Sequence, residues 1–259
     1  MLRSKWQMRD LHIIMPLAGE GSRFVSEGIL IPKPLIEADG MPFFMRALSS
    51  VKGVMAPKKH SFIVRQEHID RFCIDAILKK KVPDAMIFAV DKTTRGAVET
   101  CLKARDRIEK EDGILILDCD LEFESAEFNR KLNEILSGET DRVNGGCLVS
   151  FKSDSTKYSY AKTDERGFVV QTAEKDPIST NALAGAYFFS KADSFLKAAD
   201  KLVSDADSGK TELYVSLLFN SLIQNGETIH LARTDTYHSF GTPEELSIYL
   251  AEKNSRSGE

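Results

Sequence analysis

Short apolar, β-branched runs alternate along this chain with stretches whose apolar residues recur at helical spacing, and few folds accommodate that alternation. Strands are expected at residues 12–17, 61–65, 85–90, 114–117, 146–151, 184–189 and 228–232. Helices are expected between and after them, at 43–51, 69–80, 96–108, 126–136, 192–203, 212–224 and 244–252. The order predicts an α/β layered fold with a mostly parallel central sheet and flanking helices. One stretch departs from it: residues 158–162 and 168–172 flank Asp164, Glu165, Arg166 and Gly167, a polar turn that predicts a small antiparallel hairpin insertion in the second half.

The 259 residues, 42% of them hydrophobic and 29% charged, suffice for one sizeable core, and a single domain over 1–259 is expected. Charge is nearly balanced, 35 Lys and Arg against 39 Asp and Glu, with no long one-signed run. That argues against nucleic acid or an anionic membrane as a partner, since both recruit proteins through a basic footprint. No run approaches the ~18 apolar residues of a membrane span, and no targeting segment is read at the charged start. Cys73, Cys101, Cys119 and Cys147 lie far apart without CxxC spacing, so neither a zinc site nor a disulfide framework is expected, and a reduced cytoplasm fits.

The densest chemistry follows the first strand: Gly19, Glu20, Gly21, Ser22, Arg23 and Phe24, then Pro32, Lys33, Pro34 and Leu35. At the carboxyl end of the first strand of an α/β sheet, glycines let backbone N–H groups approach an anion with no Cβ in the way. Arg23 adds a planar donor fork and Lys33 a point charge, so the run describes a polyphosphate cradle. Prolines on both sides of Lys33 restrict its backbone and lower the entropy of presenting its ammonium, which a merely solvated lysine would not need. Two better-known phosphate loops do not fit. A dinucleotide fingerprint needs glycine where Phe24 stands, and a P-loop at Gly209, Lys210 and Thr211 needs glycine at Ser204 and a preceding strand. Thr211 there is expected to cap a helix.

A second feature is the apolar strand Ile114, Leu115, Ile116, Leu117 that ends in Asp118, Cys119 and Asp120. Parallel strand ends converge on one edge, so Asp118 or Asp120 would meet phosphates held by the first loop, and hard oxygens facing phosphates imply Mg²⁺. Capping of the helix that begins near Ala126 is the plainer role for these carboxylates. A third, Thr93 to Thr100, opens a helix at Gly96, where small residues would let a flat base lie on backbone and the helix start would favour an anion. An ordinary capped helix start explains that segment equally well.

In combination, GEGSRF, PKPL, RGA, the strand ending in Asp, GFVVQTAEK, ALAGAYFF, GKTELY and GTPEEL resemble the nucleotidyltransferases that join a nucleoside triphosphate to a sugar phosphate or related phosphate monoester. The likeness runs from about Ile13 to Leu246 and is strongest to the branch found with capsule and surface polysaccharide synthesis. It implies a Rossmann-like, GT-A-like fold with a nucleotide-binding half at about 10–145 and an acceptor-binding half at about 146–253. It further implies that Leu17, Ala18, Gly19, Gly21 and Ser22 contact the nucleotide, Arg23 steadies departing pyrophosphate, and Lys33 meets the reacting phosphates. Gly96 would lie near the base, Asp120 with Asp118 would hold Mg²⁺, and Glu174, Lys175, Gly185 and Glu212 would shape the acceptor pocket. Glu174 and Lys175 read equally well as a solvated pair at a hairpin end.

The resemblance has one departure. Relatives carry a second metal-binding Asp where this chain has Ser239, and a serine brings no negative charge. Either Asp118 compensates, one carboxylate suffices, or catalytic power is lost; the neighbouring His238 is a poor Mg²⁺ ligand and reads as packed or solvated. The expected partners are a nucleoside triphosphate, CTP or UTP favoured, and a small phosphorylated acceptor. Two rivals remain open at this point: a GT-A glycosyltransferase using Asp118 and Asp120 as a metal bridge to a nucleotide sugar, and a nucleotide-binding regulatory protein.

Overall fold

The computed structural model of the protein describes residues 8–138, 144–206 and 212–257. In chain order its first elements are β1 (Leu11–Leu17), α1 (Ser22–Ser26), β2 (Glu37–Ala38), β3 (Met41–Pro42), α2 (Phe43–Ser49), β4 (Lys58–Arg65), α3 (Gln66–Phe72), α4 (Ile74–Lys81), β5 (Met86–Val90) and α5 (Ala97–Cys101). They are followed by β6 (Gly113–Leu117), β7 (Leu121–Glu124), α6 (Ala126–Ser137), β8 (Asn144–Lys152), β9 (Ser159–Thr163), β10 (Val169–Glu174), β11 (Asn181–Phe189), α7 (Ala192–Asp205), α8 (Leu218–Gln224), β12 (Thr228–Arg233), β13 (Thr236–Ser239) and α9 (Pro243–Ser257).

The central sheet runs β10-β9-β11-β6-β1-β4-β5, with β8 on β11 and β12 on β8. β5, β4, β1 and β6 are mutually parallel, as the alternating pattern requires. β11 then runs antiparallel to β6 and to β8, so the sheet is mixed at this end. The expected insertion is the β9–β10 hairpin, closed where the Asp164 carboxylate accepts from the N–H groups of Arg166 and Phe168.

Both faces of the sheet are buried, and period-two alternation sorts the side chains between them. Ile13, Met15 and Leu17 of β1, Phe62 and Val64 of β4, and Leu115 and Leu117 of β6 face α2, α4 and α6. Ile14, Ile63, Ile114 and Ile116 face the other way, toward α5, α7 and α8. A smaller third core gathers Phe24, Ile36, Ala38, Phe43, Phe240, Leu246 and Tyr249 beyond the carboxyl ends of the strands.

Every strand expected from the sequence is present, but three expected helices are interrupted. Residues 69–80 form two helices, because Cys73 adopts a left-handed conformation (φ 51°) that ends α3 and redirects α4 so that Ile74 and Leu78 enter the core. Residues 96–108 are α-helical only to Cys101 and continue as a 3₁₀ turn to Arg107. Residues 212–214 are not helical, since Leu213 N–H donates to Arg95 O and Leu213 O accepts from Val98 N–H; a 3₁₀ turn at Val215–Leu217 then leads into α8. The expected cap at Thr211, with Gly209 and Lys210, lies outside the described residues. The ribbons β2–β3 and β7–β13 were not legible as strands, being two to four residues long.

His12 of β1 is fully buried and shares a 2.8 Å hydrogen bond between Nε2 and Ser61 Oγ, while its Nδ1 has no partner. Burial, aided by the nearby charges of Lys59 and His60, pushes its pKa down to about 4. The unfolded chain protonates this imidazole near pH 6.5, so its contribution to stability is complete above that pH and is lost as pH falls toward 4. His12→Gln should therefore remove about 2 kcal/mol of the stability loss seen between pH 7.5 and 5. Urea midpoints at the two pH values check this; an unchanged pH dependence in the variant would contradict it.

Candidate active site

β1 delivers its chain into the turn Ala18–Gly21, and Gly21 takes φ 63° as the residue that starts α1. Phe24, which stands where a dinucleotide loop would need glycine, is buried and anchors α1 against Phe43 at a 5.9 Å ring separation, edge to face. Phe43 in turn stacks on Phe240 at 4.9 Å. The third core thus pins the first loop to the segment after β13, and Lys33 and Arg23 project from it toward the strand ends.

Lys33 lies on a 3₁₀ turn begun by Pro32, with Leu35 N–H donating to Pro32 O. A Cβ at Gly21 would lie 3.4 Å from Lys33 Cβ, so the turn and the loop are in contact. Lys33 Nζ reaches Asp120 Oδ2 at 2.5 Å and approaches Gly241 O at 3.4 Å, while Asp120 O accepts from Phe240 N–H at 2.7 Å. Three distant segments therefore meet at Asp120. Burial works against both charges of the pair, but each outweighs that cost for the other: Lys33 is held above its ordinary pKa and Asp120 below its own.

Asp118 is different. Its backbone N–H donates to Gly185 O at 2.9 Å, at the point where β11 bends through φ 74°. Its carboxylate has no hydrogen-bond or ion-pair partner among the described residues. Burial first, and then the charge of Asp120, pushes its pKa up to about 8. A half-buried carboxyl without a donor, beside a second carboxylate that has only Lys33, fits a hard cation whose remaining ligands come from phosphates and water. No cluster of three or more His, Cys, Asp or Glu able to hold a metal by itself occurs among the described residues.

Two adjoining clefts open at this edge. The larger, about 480 Å³, is lined by Ala18, Gly19, the segment 93–97, Asp118 and Glu212; the smaller, about 250 Å³, by Arg23, Asp118, Asp120, Glu174, Gly185 and four tyrosines. Ala97 and Asp118 belong to both. Leu17 is buried in the core, so only its main chain is at the edge. Gly21, Ser22 and Lys33 border neither cleft directly; Lys33 is bonded to Asp120, which lines the smaller one.

Glu174 accepts from Ser159 Oγ and from Ser216 Oγ at 2.9 Å and faces the smaller cleft. Lys175 turns away through φ 56° and binds Tyr214 Oη at 2.6 Å, with Glu212 3.8 Å from its ammonium. Glu212, expected at the acceptor pocket, borders the larger cleft. Gly96 differs in its reason: at φ 141° a Cβ would lie 2.6 Å from Leu213 N, so its missing side chain is filled by the main chain of residues 212–214. The start of α5 is also internally satisfied, with Arg95 N–H on Glu99 and Val98 N–H on Leu213 O, and it does not offer those amides to an anion.

Sequence reasoning missed Lys157 and Glu245. Both line the smaller cleft and pair with each other, and Glu245 accepts from Ser239 Oγ at 2.7 Å. Lys157 stands in no apolar periodicity or glycine motif that would have marked it, and Glu245, inside GTPEEL, was given no role of its own there. His238 packs edge-on against Tyr249 at 4.9 Å and faces away from both clefts, as a packed side chain does.

The sequence model of the nucleotidyl transferase family matches residues 12–243. The chain belongs to that family. Among solved structures, this nucleotidyltransferase is similar to a nucleoside-diphosphate-sugar pyrophosphorylase from Vibrio cholerae RC9, at 26% identity and TM-score 0.78 over 92% of this chain and 99% of the other. It also shares its fold with an inositol-1-phosphate CTP transferase from T. maritima, at 14% identity and TM-score 0.69 over 95% and 96% of the two chains. No curated protein matches it. Family membership decides against the glycosyltransferase reading of Asp118 and Asp120.

The packing of Leu213 on Gly96 is testable in the nucleotidyltransferase. Gly96→Ala should cost roughly 2 kcal/mol of stability through backbone strain and collision. Gly138→Ala, at φ 77° with open space around the added Cβ, should cost only about 1 kcal/mol. Denaturant titration of both variants measures the difference; equal losses would mean that residues 212–214 are not seated on Gly96.

Proposed function

We propose that the enzyme transfers a nucleoside monophosphate from CTP or UTP to a small phosphate monoester, a sugar phosphate foremost, and releases pyrophosphate. The observation that carries the reading is the convergence of Lys33, Asp120 and Arg23 on the edge where the two clefts meet over Asp118. The triphosphate occupies the larger cleft, with its phosphates running past Gly19 toward Asp118 and the Lys33–Asp120 pair. The acceptor occupies the smaller cleft. The nucleotide-binding half, about 10–145, and the acceptor-binding half, about 146–253, interleave here, because Arg23 and Asp120 reach into one cleft and Glu212 into the other.

An acceptor phosphate oxygen attacks the α-phosphorus in line; a new P–O bond forms to the acceptor, and the bond to the bridging oxygen breaks and leaves pyrophosphate. The acceptor phosphate is already ionised, so no protein nucleophile is needed. Cys119, the one thiol at the site, has its pKa pushed far up by burial and by Asp120 and is unsuited to that role. Asp118 and Asp120 would hold Mg²⁺, which supplies charge neutralisation at the phosphates. Lys33 and Arg23 donate to the oxygens on which charge accumulates, and the Asp120 contact aims Lys33 before substrate arrives.

The likeness to the Vibrio cholerae pyrophosphorylase supports a nucleoside-diphosphate sugar as product. The resemblance to the capsule branch supports a place in surface polysaccharide precursor synthesis. Four free cysteines and the absence, among the described residues, of a helix long and apolar enough to cross a membrane are consistent with work in the cytoplasm.

The test is a matrix of the four nucleoside triphosphates against phosphorylated acceptors with Mg²⁺, read as inorganic pyrophosphate. Release is expected with a pyrimidine triphosphate and is abolished by a chelator. Lys33→Ala and Asp120→Asn should each lower kcat by about 10²–10³. Full turnover by Lys33→Ala, or release that needs no acceptor, would overturn the assignment.

A further inference from the structure

Within this reading of the reaction, on which the inference rests, we infer that Lys157 grips the phosphate of the acceptor and that Ser239 and Glu245 hold it in place. The smaller cleft is lined by only two cations among the described residues, Arg23 and Lys157. Arg23 comes from the first loop, which also supplies Gly19 to the larger cleft, and this reading of the reaction assigns it to the pyrophosphate. Lys175, the lysine that the sequence pattern points to, faces Tyr214 and Glu212 and borders neither cleft. An acceptor phosphate in this cleft therefore finds Lys157 as its remaining counter-charge.

The ammonium of Lys157 is fixed from two sides. Glu245, from the first turn of α9, binds it through Oε1, and the ring of Tyr158 lies beneath it at 5.0 Å. Glu245 is itself fixed: its Oε2 accepts from Ser239 Oγ at 2.7 Å and from Gly241 N–H at 2.8 Å. The Lys157 side chain remains 48% exposed. A pair so exposed adds at most about 1 kcal/mol to stability, so two anchors on the carboxylate that holds Lys157 are better explained by placement of the ammonium than by folding. An ammonium carries three donors, and its bond to Glu245 leaves others for an anion in the cleft.

The same geometry explains the residue at 239. A carboxylate there would face Glu245 across about the 2.7 Å that now separates hydroxyl and carboxylate, and the two like charges would repel. A serine instead donates to Glu245. Ser239 is a positioning residue that acts through Glu245, and Lys157 is the substrate-binding group.

The experiment uses the triphosphate and acceptor pair that releases pyrophosphate fastest in the native enzyme, with inorganic phosphate as a competing probe. Lys157→Met should raise KM for the acceptor roughly 10- to 100-fold, the loss of one charge-assisted contact, with KM for the triphosphate changed less than about twofold. Inhibition by inorganic phosphate, competitive with acceptor, should weaken in parallel. Lys157→Arg should recover most of the loss. Ser239→Ala should raise acceptor KM by roughly three- to tenfold, a smaller effect because the Gly241 N–H remains, and Ser239→Thr, which keeps the hydroxyl, should restore it. Should Lys157→Met fail to fold, Lys157→Arg and the two Ser239 variants carry the same comparison. An acceptor KM that stays constant across the series, or equal rises in both KM values, overturns the role of Lys157 while leaving nucleotidyl transfer intact. Absence of pyrophosphate release by the native enzyme overturns the functional reading, and this one with it.

Discussion

The parallel pairing of β1 with β6, Leu11 beside Gly113 through Ile14 beside Ile116, is the constraint from which the site follows. Parallel neighbours end on the same edge, so the glycine turn after β1 and the two aspartates after β6 must face one another. Register is not free to slip, because a one-residue shift would exchange the face of every side chain, and both faces are packed. Gly113 marks how tight that packing is: a Cβ there would lie 2.7 Å from Leu136 and 2.9 Å from the ring of Phe188.

Strand ends alone do not hold a lysine in place. The third core does that, by joining residues 24, 36, 38 and 43 to 240, 246 and 249 in one apolar cluster. Arg46 ties into it with its guanidinium on Ala38 O and Glu122 and 5.0 Å from the ring of Tyr249. Contacts of this kind convert loops, which ordinarily carry function with some mobility, into a fixed frame. The first loop, the Lys33 turn and the start of α9 are thereby positioned as one unit, which is why Arg23, Lys33 and Glu245 bear on the same edge.

Much of this was legible in the sequence because local rules and global fold agree there. Alternating apolar runs located the strands, and glycine, proline and cation spacing located Lys33 and its loop before any contact was visible. What was not legible depends on contacts between distant segments. Helix propensity continues through Cys73 and through 212–214, yet the core redirects the chain at one and the main chain of α5 captures it at the other. Gly96 was singled out for its missing Cβ, and the main chain that takes that space belongs to Leu213, 117 residues away in sequence (213 − 96), a neighbour no local pattern shows. Phe24 counted as a missing glycine, whereas it anchors the loop. Lys157 and Glu245 are ordinary surface residues by pattern and become a pair only when β9 and α9 are brought to the same cleft.

The charges at the strand ends also explain how two neighbouring acidic side chains are tolerated there. Two carboxylates, Asp118 and Asp120, sit two residues apart in surroundings that disfavour both ionised forms. Lys33 neutralises one, and burial together with the charge of Asp120 raises the pKa of the other. Removing Lys33 would leave Asp120 without its counter-charge, a far larger cost than the loss of one contact. The arrangement is a pair of acceptors and one aimed donor, of which Asp120 and Lys33 answer each other and Asp118 answers no side chain among the described residues. Donor and acceptors are thus set by contacts within the chain itself, which is the electrostatic meaning of a preorganised site.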